Sequence, residues 1–175
     1  MKICIVSDSH DRAEPLAAAV SAAKAEGAQA VIHCGDVIGA QTLRSSIKIG
    51  LPLHVVHGNN VGDQLAMQNL VTKSAGMLSY YGMDASLKFA GKRIYATHYP
   101  HLGHGIACTG EYDLVCCGHT HSAAITEQPN IKGGHTFLVN PGSVAGIEAP
   151  GVNAPCTWIL GDLERMTFEI RTLKQ

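Results

Sequence analysis

The first half of the chain alternates between short apolar runs and longer stretches with apolar residues at helical spacing. The short runs have the length and composition of strands that are buried on both faces, as in a parallel sheet. The longer stretches predict helices, and Gly27 is a plausible stop signal for the first of them. The predicted strands cover residues 2–6, 30–33 and 53–56, and the predicted helices cover residues 13–26, 40–49 and 62–75.

The second half is predicted to be rich in strands. A Gly91–Lys92 turn between two strand-like runs predicts a hairpin. The predicted strands cover residues 85–89, 93–97, 113–117, 123–127, 136–139, 156–160 and 166–172. Strand–helix alternation followed by a meander predicts an α/β fold of mixed sheets with helices outside. The length of 175 residues, without a repeat or a linker, predicts a single domain over residues 1–175.

Composition excludes several classes of partner. The formal net charge is −1 and no basic run is present, so we expect no long nucleic acid as a partner, although a short nucleotide fits. The longest apolar runs have strand length, so no membrane association is expected. Six cysteines without a Cys-x-x-Cys pair or a secretory signal predict reduced thiols in a cytoplasmic protein. The unusual count is that of histidine, with ten residues.

Short polar motifs follow the predicted strands and supply the candidate chemistry. Each motif begins where an apolar run ends, and the carboxyl ends of parallel strands meet at one edge of a sheet. Glycines within the motifs allow tight turns and a close approach of the backbone. The motifs are Asp8-Ser9-His10, Gly35-Asp36, Gly58-Asn59-Asn60, Thr97-His98 and Gly118-His119-Thr120-His121.

The donor types in these motifs indicate a pair of metal ions. Polar clusters buried together are costly unless something compensates them, and two cations do so. Carboxylate, amide and imidazole donors without thiolate favour divalent transition metals. We expect manganese first, with iron, zinc, nickel or cobalt as alternatives, because so many imidazoles disfavour magnesium and calcium. For Asp8-Ser9-His10 alone, a helix cap would be the simpler interpretation.

The order of the motifs resembles that of the calcineurin-like metallophosphoesterases. The Ser7–Asp11 opening and Asn140-Pro141-Gly142-Ser143 are similar to the small single-domain YfcE-like phosphodiesterase branch of that family. The resemblance covers essentially the whole chain. It implies a four-layer α/β/β/α sandwich of two mixed β-sheets flanked by helices.

The resemblance also implies roles for the motif residues. The implied catalytic residues are Asp36, Asn59 and His98, to which we add His101 as a candidate for the reason given below. The implied reaction is attack by a metal-bridging hydroxide on a phosphate ester. The first metal would be held by Asp8, His10, Asp36 and His121, and the second by Asp36, Asn59, His98 and His119.

The chain departs from the family pattern in two places. Many relatives have a histidine after the Gly-Asn pair, whereas this chain has Asn60, which cannot act as a general acid near neutral pH. Many also have Thr-His-Gly-His, where this chain has Thr97-His98-Tyr99-Pro100-His101. His101 and His104 are therefore the candidate substitutes, either as the acid or as phosphate contacts. Arg12 could contact phosphate or be a solvated residue at a helix start.

Three functions remain open from the sequence. The first is a phosphodiesterase acting on a small phosphodiester or nucleotide, and the second is a phosphomonoesterase with the same site. The third is a protein-binding scaffold of the same fold, which an intact ligand set disfavours. A homo-oligomer is compatible with all three. His33 could be structural or could orient Asp36, and Asn140 could form a turn or orient a ligand histidine.

Overall fold

The computed structural model describes residues 1–147 and 155–173, and within these ranges the chain forms eleven strands and four α-helices. The strands are β1 (Lys2–Val6), β2 (Ala28–His33), β3 (Leu53–Val55), β4 (Leu78–Tyr80), β5 (Asp84–Phe89), β6 (Lys92–Thr97), β7 (Leu114–Cys116), β8 (Ala123–Pro129), β9 (His135–Pro141), β10 (Thr157–Asp162) and β11 (Thr167–Thr172). The helices are α1 (Ala13–Ala25), α2 (Arg44–Lys48), α3 (Gln64–Lys73) and α4 (Pro100–Thr109), and a 3-10 helix, Ala40–Leu43, precedes α2.

The strands form two mixed sheets. The first has six strands in the order β11-β10-β1-β2-β3-β4, and its pairs from β1 to β4 are parallel. The second has five strands in the order β5-β6-β7-β9-β8, with β6, β7 and β9 parallel. The antiparallel pairs lie towards the edges of each sheet. The loops that follow the parallel strands carry the polar motifs of the sequence.

The core lies in two layers because side chains alternate between the faces of a strand. Ile3 and Ile5 of β1 belong to a buried cluster that includes Ile94 of β6 and Leu114 of β7, and this cluster lies between the two sheets. Cys4 and its neighbours on the other face of the first sheet pack instead with residues of α1 and α3. Helix α4 packs on the second sheet. The predicted four-layer α/β/β/α sandwich is therefore confirmed.

Two elements are missing from the sequence-based prediction. Strand β4 has three residues, which is too short to show an alternating pattern. Helix α4 begins with Pro100 and contains two glycines, so its propensity is low. Gly103 faces the sheet, and an added Cβ there would lie in van der Waals contact with the Cβ of Cys117, at 3.4 Å. Tertiary packing thus stabilises a helix that the local sequence does not predict.

Two further boundaries differ from the prediction, and the structure adds the sheet to which the last two strands belong. The helix predicted over residues 40–49 is a 3-10 helix followed by the five-residue α2. Helix α3 is shorter than predicted and begins after Asp63, whose carboxylate accepts a hydrogen bond from Ala66 N. Strands β10 and β11 belong to the first sheet, where β10 pairs with β1 and β11 pairs with β10.

Two expectations concern the chain as a whole. No helix among the described residues is long and apolar enough to cross a bilayer. The single domain over residues 1–175 stays a prediction.

Candidate metal centre

Two loops at the ends of β1 and β2 carry the first candidate ligands and hold each other in place. Asp8 N donates to Gly35 O at 3.0 Å, and His10 N donates to Asp36 O at 2.9 Å. These cross-links leave the carboxylates of Asp8 and Asp36 buried at the rim of the sheet. The two loops therefore fold as one unit under the site.

Glycines permit this close packing. A Cβ on Gly35 would lie 2.7 Å from His98 Nδ1, and a Cβ on Gly58 would overlap Asp36 Oδ1. A Cβ on Gly118 would overlap Ser7 Oγ and lie 2.9 Å from Asp8 Oδ2. The glycines of three different motifs thus bring three strand ends within contact distance, as their positions before the polar residues predict.

A first cluster forms around the carboxylate of Asp8. His121 Nε2 lies 3.2 Å from Asp8 Oδ1 and 3.3 Å from His10 Nε2. His10 Nε2 lies 3.7 Å from Asp8 Oδ1 and 3.6 Å from Asp36 Oδ2. Two ligands of one ion, each about 2.1 Å from it, are separated by ~3–3.5 Å at adjacent positions. These four side chains therefore have the spacing of ligands to a common ion.

A second cluster forms around the imidazole of His98. His98 Nε2 lies 3.0 Å from Asn59 Oδ1, 3.2 Å from His119 Nδ1 and 3.5 Å from Asp36 Oδ1. Asp36 thus presents Oδ2 to the first cluster and Oδ1 to the second. The structure brings all seven predicted metal ligands together in two groups that share one carboxylate.

The hydrogen bonds of the histidines explain why these groups fit cations. His98 Nδ1 donates to Cys34 O at 2.8 Å, so in a neutral ring Nε2 carries only a lone pair, which faces the carbonyl oxygen of Asn59. His121 Nδ1 bonds Ile147 O in the same way, and its Nε2 faces Asp8 Oδ1. Acceptors that face acceptors repel unless a proton or a metal ion lies between them. The donor set therefore fits two cations.

Burial leaves an unsatisfied charge in the first cluster. Asp8 Oδ1 is buried and makes no hydrogen bond, although His121 lies close to it. Burial alone would raise the pKa of Asp8, but His10, His121 and Ser7 hold it below its ordinary value. The same pairing with Asp8 raises the pKa of His121. A buried carboxylate of this kind requires a nearby positive charge.

The backbone is strained at most of the candidate ligands. Left-handed φ values are rare for residues other than glycine and cost on the order of 1–3 kcal/mol each. The candidate ligands with such values are Asp8 (56°), His10 (42°), Asp36 (56°), His119 (72°) and His121 (58°). Strain concentrated on the ligands is typical of a site whose geometry is set by what it binds.

Residues behind the ligands hold the loops in position. Asn140 Nδ2 donates to Gly118 O at 2.8 Å and to Thr120 Oγ1 at 3.0 Å, while its Oδ1 accepts from Gly142 N. Asn140 therefore orients the loop that carries two histidines, one of the two roles left open by the sequence. Ser143 Oγ donates to Asp8 O at 2.9 Å, a role that its place in a turn-like motif did not indicate.

His33 supports the site from below. It is fully buried, accepts from Gly35 N through Nδ1 and bonds Ser9 Oγ through Nε2 at 3.1 Å. Burial lowers the pKa of His33 to about 4, so the ring is neutral at physiological pH. It contacts the loops of Asp8 and Asp36 rather than the Asp36 carboxylate.

The remaining candidates lie around the ligands rather than among them. Asn60 donates to both oxygens of Asp36, from its backbone N at 2.9 Å and from Nδ2 at 2.6 Å. His101 is exposed at the start of α4, and its ring packs on Tyr99 with 5.8 Å between centroids. His104 is exposed one turn further along α4. Arg12 Nη1 donates to Ala145 O at 3.1 Å and thus has a structural partner.

Comparison with known proteins identifies the family of this chain. Residues 1–165 match the family model of the calcineurin-like phosphoesterase superfamily domain, and the chain therefore belongs to that superfamily. Within it, the chain is similar to phosphodiesterase MJ0936 of Methanocaldococcus jannaschii, with 27% identity over 149 residues that make up 83% of this chain and 86% of the relative.

Solved structures show the same fold. An archaeal phosphodiesterase superposes with a TM-score of 0.86 at 23% identity, covering 99% of this chain and all of the other. YfcE, a phosphoesterase from E. coli, superposes with a TM-score of 0.65 at 18% identity and with 99% and 100% coverage. The fold expected from the resemblance to the small YfcE-like branch is thus confirmed.

Proposed function

We propose that this protein is a phosphodiesterase that uses two divalent metal ions to hydrolyse a small phosphodiester or a nucleotide. The observation that carries the proposal is the pair of ligand clusters joined by the two oxygens of Asp36. Membership of the superfamily and the activity named for the M. jannaschii relative support the same reaction class.

The proposed roles follow from the contacts. Asp8, His10 and His121 would hold one ion, Asn59, His98 and His119 would hold the other, and Asp36 would serve both. When bound, a metal pair supplies a nucleophilic water of lowered pKa and neutralises charge on the phosphate oxygens. Asp36 fixes the spacing of the two half-sites, and Asn60 fixes the orientation of Asp36 by bonding both of its oxygens.

The proton for the leaving group needs a different donor from Asn60. We assign this role to His101, whose ring packs on that of Tyr99, which in turn lies 6.0 Å from the ring of His119. The change His101→Gln should then lower turnover most for esters with poor leaving groups, because those need protonation most. Equal losses for good and poor leaving groups would contradict the assignment.

The proposal also covers the identity of the metal and the cellular compartment of the protein. Nitrogen and oxygen donors without thiolate support manganese, with iron, zinc, nickel or cobalt as alternatives. A cytoplasmic location is supported by six cysteines, all free in the structure and four of them buried. Burial raises the pKa of Cys34 well above its usual range, so this thiol next to the site is neutral.

The phosphomonoesterase alternative requires more positive charge, because a monoester dianion carries one more negative charge than a diester. Arg12, the guanidinium that follows His10, donates to Ala145 O instead. This favours the diester. The scaffold alternative is disfavoured because all seven ligands converge, which a protein-binding role does not require.

Hydrolysis of two chromogenic esters tests the proposal. Chelator-treated protein is supplied with manganese and given bis(4-nitrophenyl) phosphate or 4-nitrophenyl phosphate, and a second sample keeps the chelator. We expect manganese-dependent turnover with a higher kcat/KM for the diester. Preference for the monoester would favour the alternative enzyme. Absence of hydrolysis with two ions bound would contradict both enzymatic proposals.

A further inference from the structure

A cavity of about 410 Å³ lies on the outer face of the second sheet, beside the first turn of α4. Its volume falls in the range of ~300–1,000 Å³ that is usual for small-molecule pockets. Its walls come from the start of α4, from the loop that follows β7, and from β8 and β9. They include Pro100, Thr120, Ser122, Ala124, Thr126 and Leu138.

The cavity shares a wall with the candidate metal centre. Thr120 and Ser122 line the cavity, and they alternate along the loop with the candidate ligands His119 and His121. Pro100 stands two residues after His98. Asn140, which also lines the cavity, donates to Gly118 O and Thr120 Oγ1 in the same wall. A molecule held at the second cluster therefore has this cavity as its neighbour.

The lining selects for a neutral group. None of the described residues that line the cavity has a charged side chain. A second phosphate or a carboxylate placed there would lose hydration without gaining a counter-ion. The lining has much more apolar than polar surface, and its hydroxyl and amide groups can bond the edge of a ring.

Resting on the proposed function, we infer that this cavity binds an uncharged aromatic group of the phosphate ester, such as a nucleobase or an aryl ring. An apolar slot with a few hydroxyls suits a flat ring that carries polar atoms only at its edge. The substrates would then be diesters with at least one neutral aromatic substituent. Diesters whose organic groups carry further phosphates would be disfavoured.

Binding without turnover provides the first test. Chelator-treated protein is titrated with thymidine and, separately, with benzyl alcohol, two neutral probes, while backbone amide resonances are followed by NMR. We expect saturable shifts at residues 120–126 and 138–140. Tighter binding of thymidine would identify a nucleobase as the preferred occupant, and tighter binding of benzyl alcohol an aryl group. No saturable shift with either probe would overturn the inference.

Filling the cavity provides the second test. Thr126→Trp places an indole in it, whereas Glu127→Trp, one residue further along β8, places the same side chain on the other face of the sheet. Relative to Glu127→Trp, we expect Thr126→Trp to raise the KM for bis(4-nitrophenyl) phosphate at least fivefold and to abolish the NMR shifts. Ser122→Trp is a second variant in case Thr126→Trp does not fold.

Equal KM values in folded Thr126→Trp and Glu127→Trp proteins would contradict the inference. If the native protein hydrolyses no ester in manganese, the proposed function fails. The NMR titrations still decide whether the cavity binds neutral rings, because they need neither metal nor turnover.

Discussion

The two halves of the candidate metal centre differ in charge and in exposure. The first half-site, formed by Asp8, His10 and His121, has a carboxylate of its own, which is fully buried. The second, formed by Asn59, His98 and His119, has only neutral donors besides the shared Asp36, and Asn59 and His119 are exposed. Charge and burial favour tighter binding in the first half-site. The open second half-site, next to the cavity, is better placed to contact substrate.

The largest effect is expected from the residue that both halves share. Asp36→Ala removes one oxygen from each cluster, so we expect manganese-dependent diester hydrolysis to fall by about 10³-fold or more. Metal analysis should show loss from both half-sites. A variant with most of its turnover would contradict the bridging role, and Asp113→Ala, a carboxylate remote from the site, serves as the control.

His33, the buried residue that supports the first half-site, predicts that the stability of the protein depends on pH. The pKa of His33 is about 4 in the folded protein and about 6.5 in an unfolded chain. Above pH 6.5 the ring of His33 is neutral in both the folded and the unfolded chain, and its contribution to the free energy of unfolding is fully present. As the pH falls from 6.5 to 4, the unfolded chain takes up a proton that the folded protein does not, so about 3 kcal/mol of unfolding free energy is lost.

Urea unfolding of metal-free protein at pH 7.5, 5.5 and 4.5 measures this loss. His33→Gln should flatten the decline between pH 6.5 and 4 relative to the native chain. His135→Gln, at the exposed start of β9, should keep the native slope. An unchanged slope in His33→Gln would show that the ring is not held neutral by folding.

A substitution at Asn140 should weaken metal binding in both half-sites, because Asn140 holds the loop that carries one histidine of each. Asn140→Asp keeps the acceptor for Gly142 N but loses the donor to Gly118 O and Thr120 Oγ1. The histidines of this loop, one in each half-site, should lose their orientation, and manganese affinity should fall by ten- to a hundredfold. Asn130→Asp makes the same change at the distal end of β8 and β9, where Asn130 bonds Thr136, and should leave affinity unchanged.

Measuring both stability and manganese affinity separates a positioning role of Asn140 from a purely structural one. The free energy of unfolding of the metal-free Asn140→Asp protein should change far less than its affinity for manganese. If stability falls while affinity is retained, Asn140 is a structural residue only.

The convergence of the candidate ligands was predictable from the sequence, whereas the supporting role of Ser143 was not, and the reason is physical. A ligand must be of a particular type and must follow a strand, as Asp36 and His98 do, so type and position are both visible. A support such as Ser143 acts through its contact with Asp8 O, 135 residues away, and any serine in a turn looks the same. Helix α4 was missed because its two glycines lower its propensity, and its packing on the second sheet is not visible in the local sequence.

The smallest predicted effect tests directly whether the two half-sites differ in their affinity for manganese. Manganese titration of the native protein against a chelator should show two classes of site that differ at least tenfold in affinity. Asn59→Asp gives the second half-site a carboxylate of its own, 3.0 Å from His98 Nε2 in the native geometry, and should tighten the weaker class by about tenfold. Asn69→Asp adds the same charge on the exposed face of α3 and should leave both classes as they are.

Two equal classes in the native protein, or the same gain from both variants, would show that the difference in ligand charge does not set the order of binding. A gain confined to Asn59→Asp would mean that the neutral amide keeps the second ion weakly held, and so available to a phosphate entering from the side of the cavity.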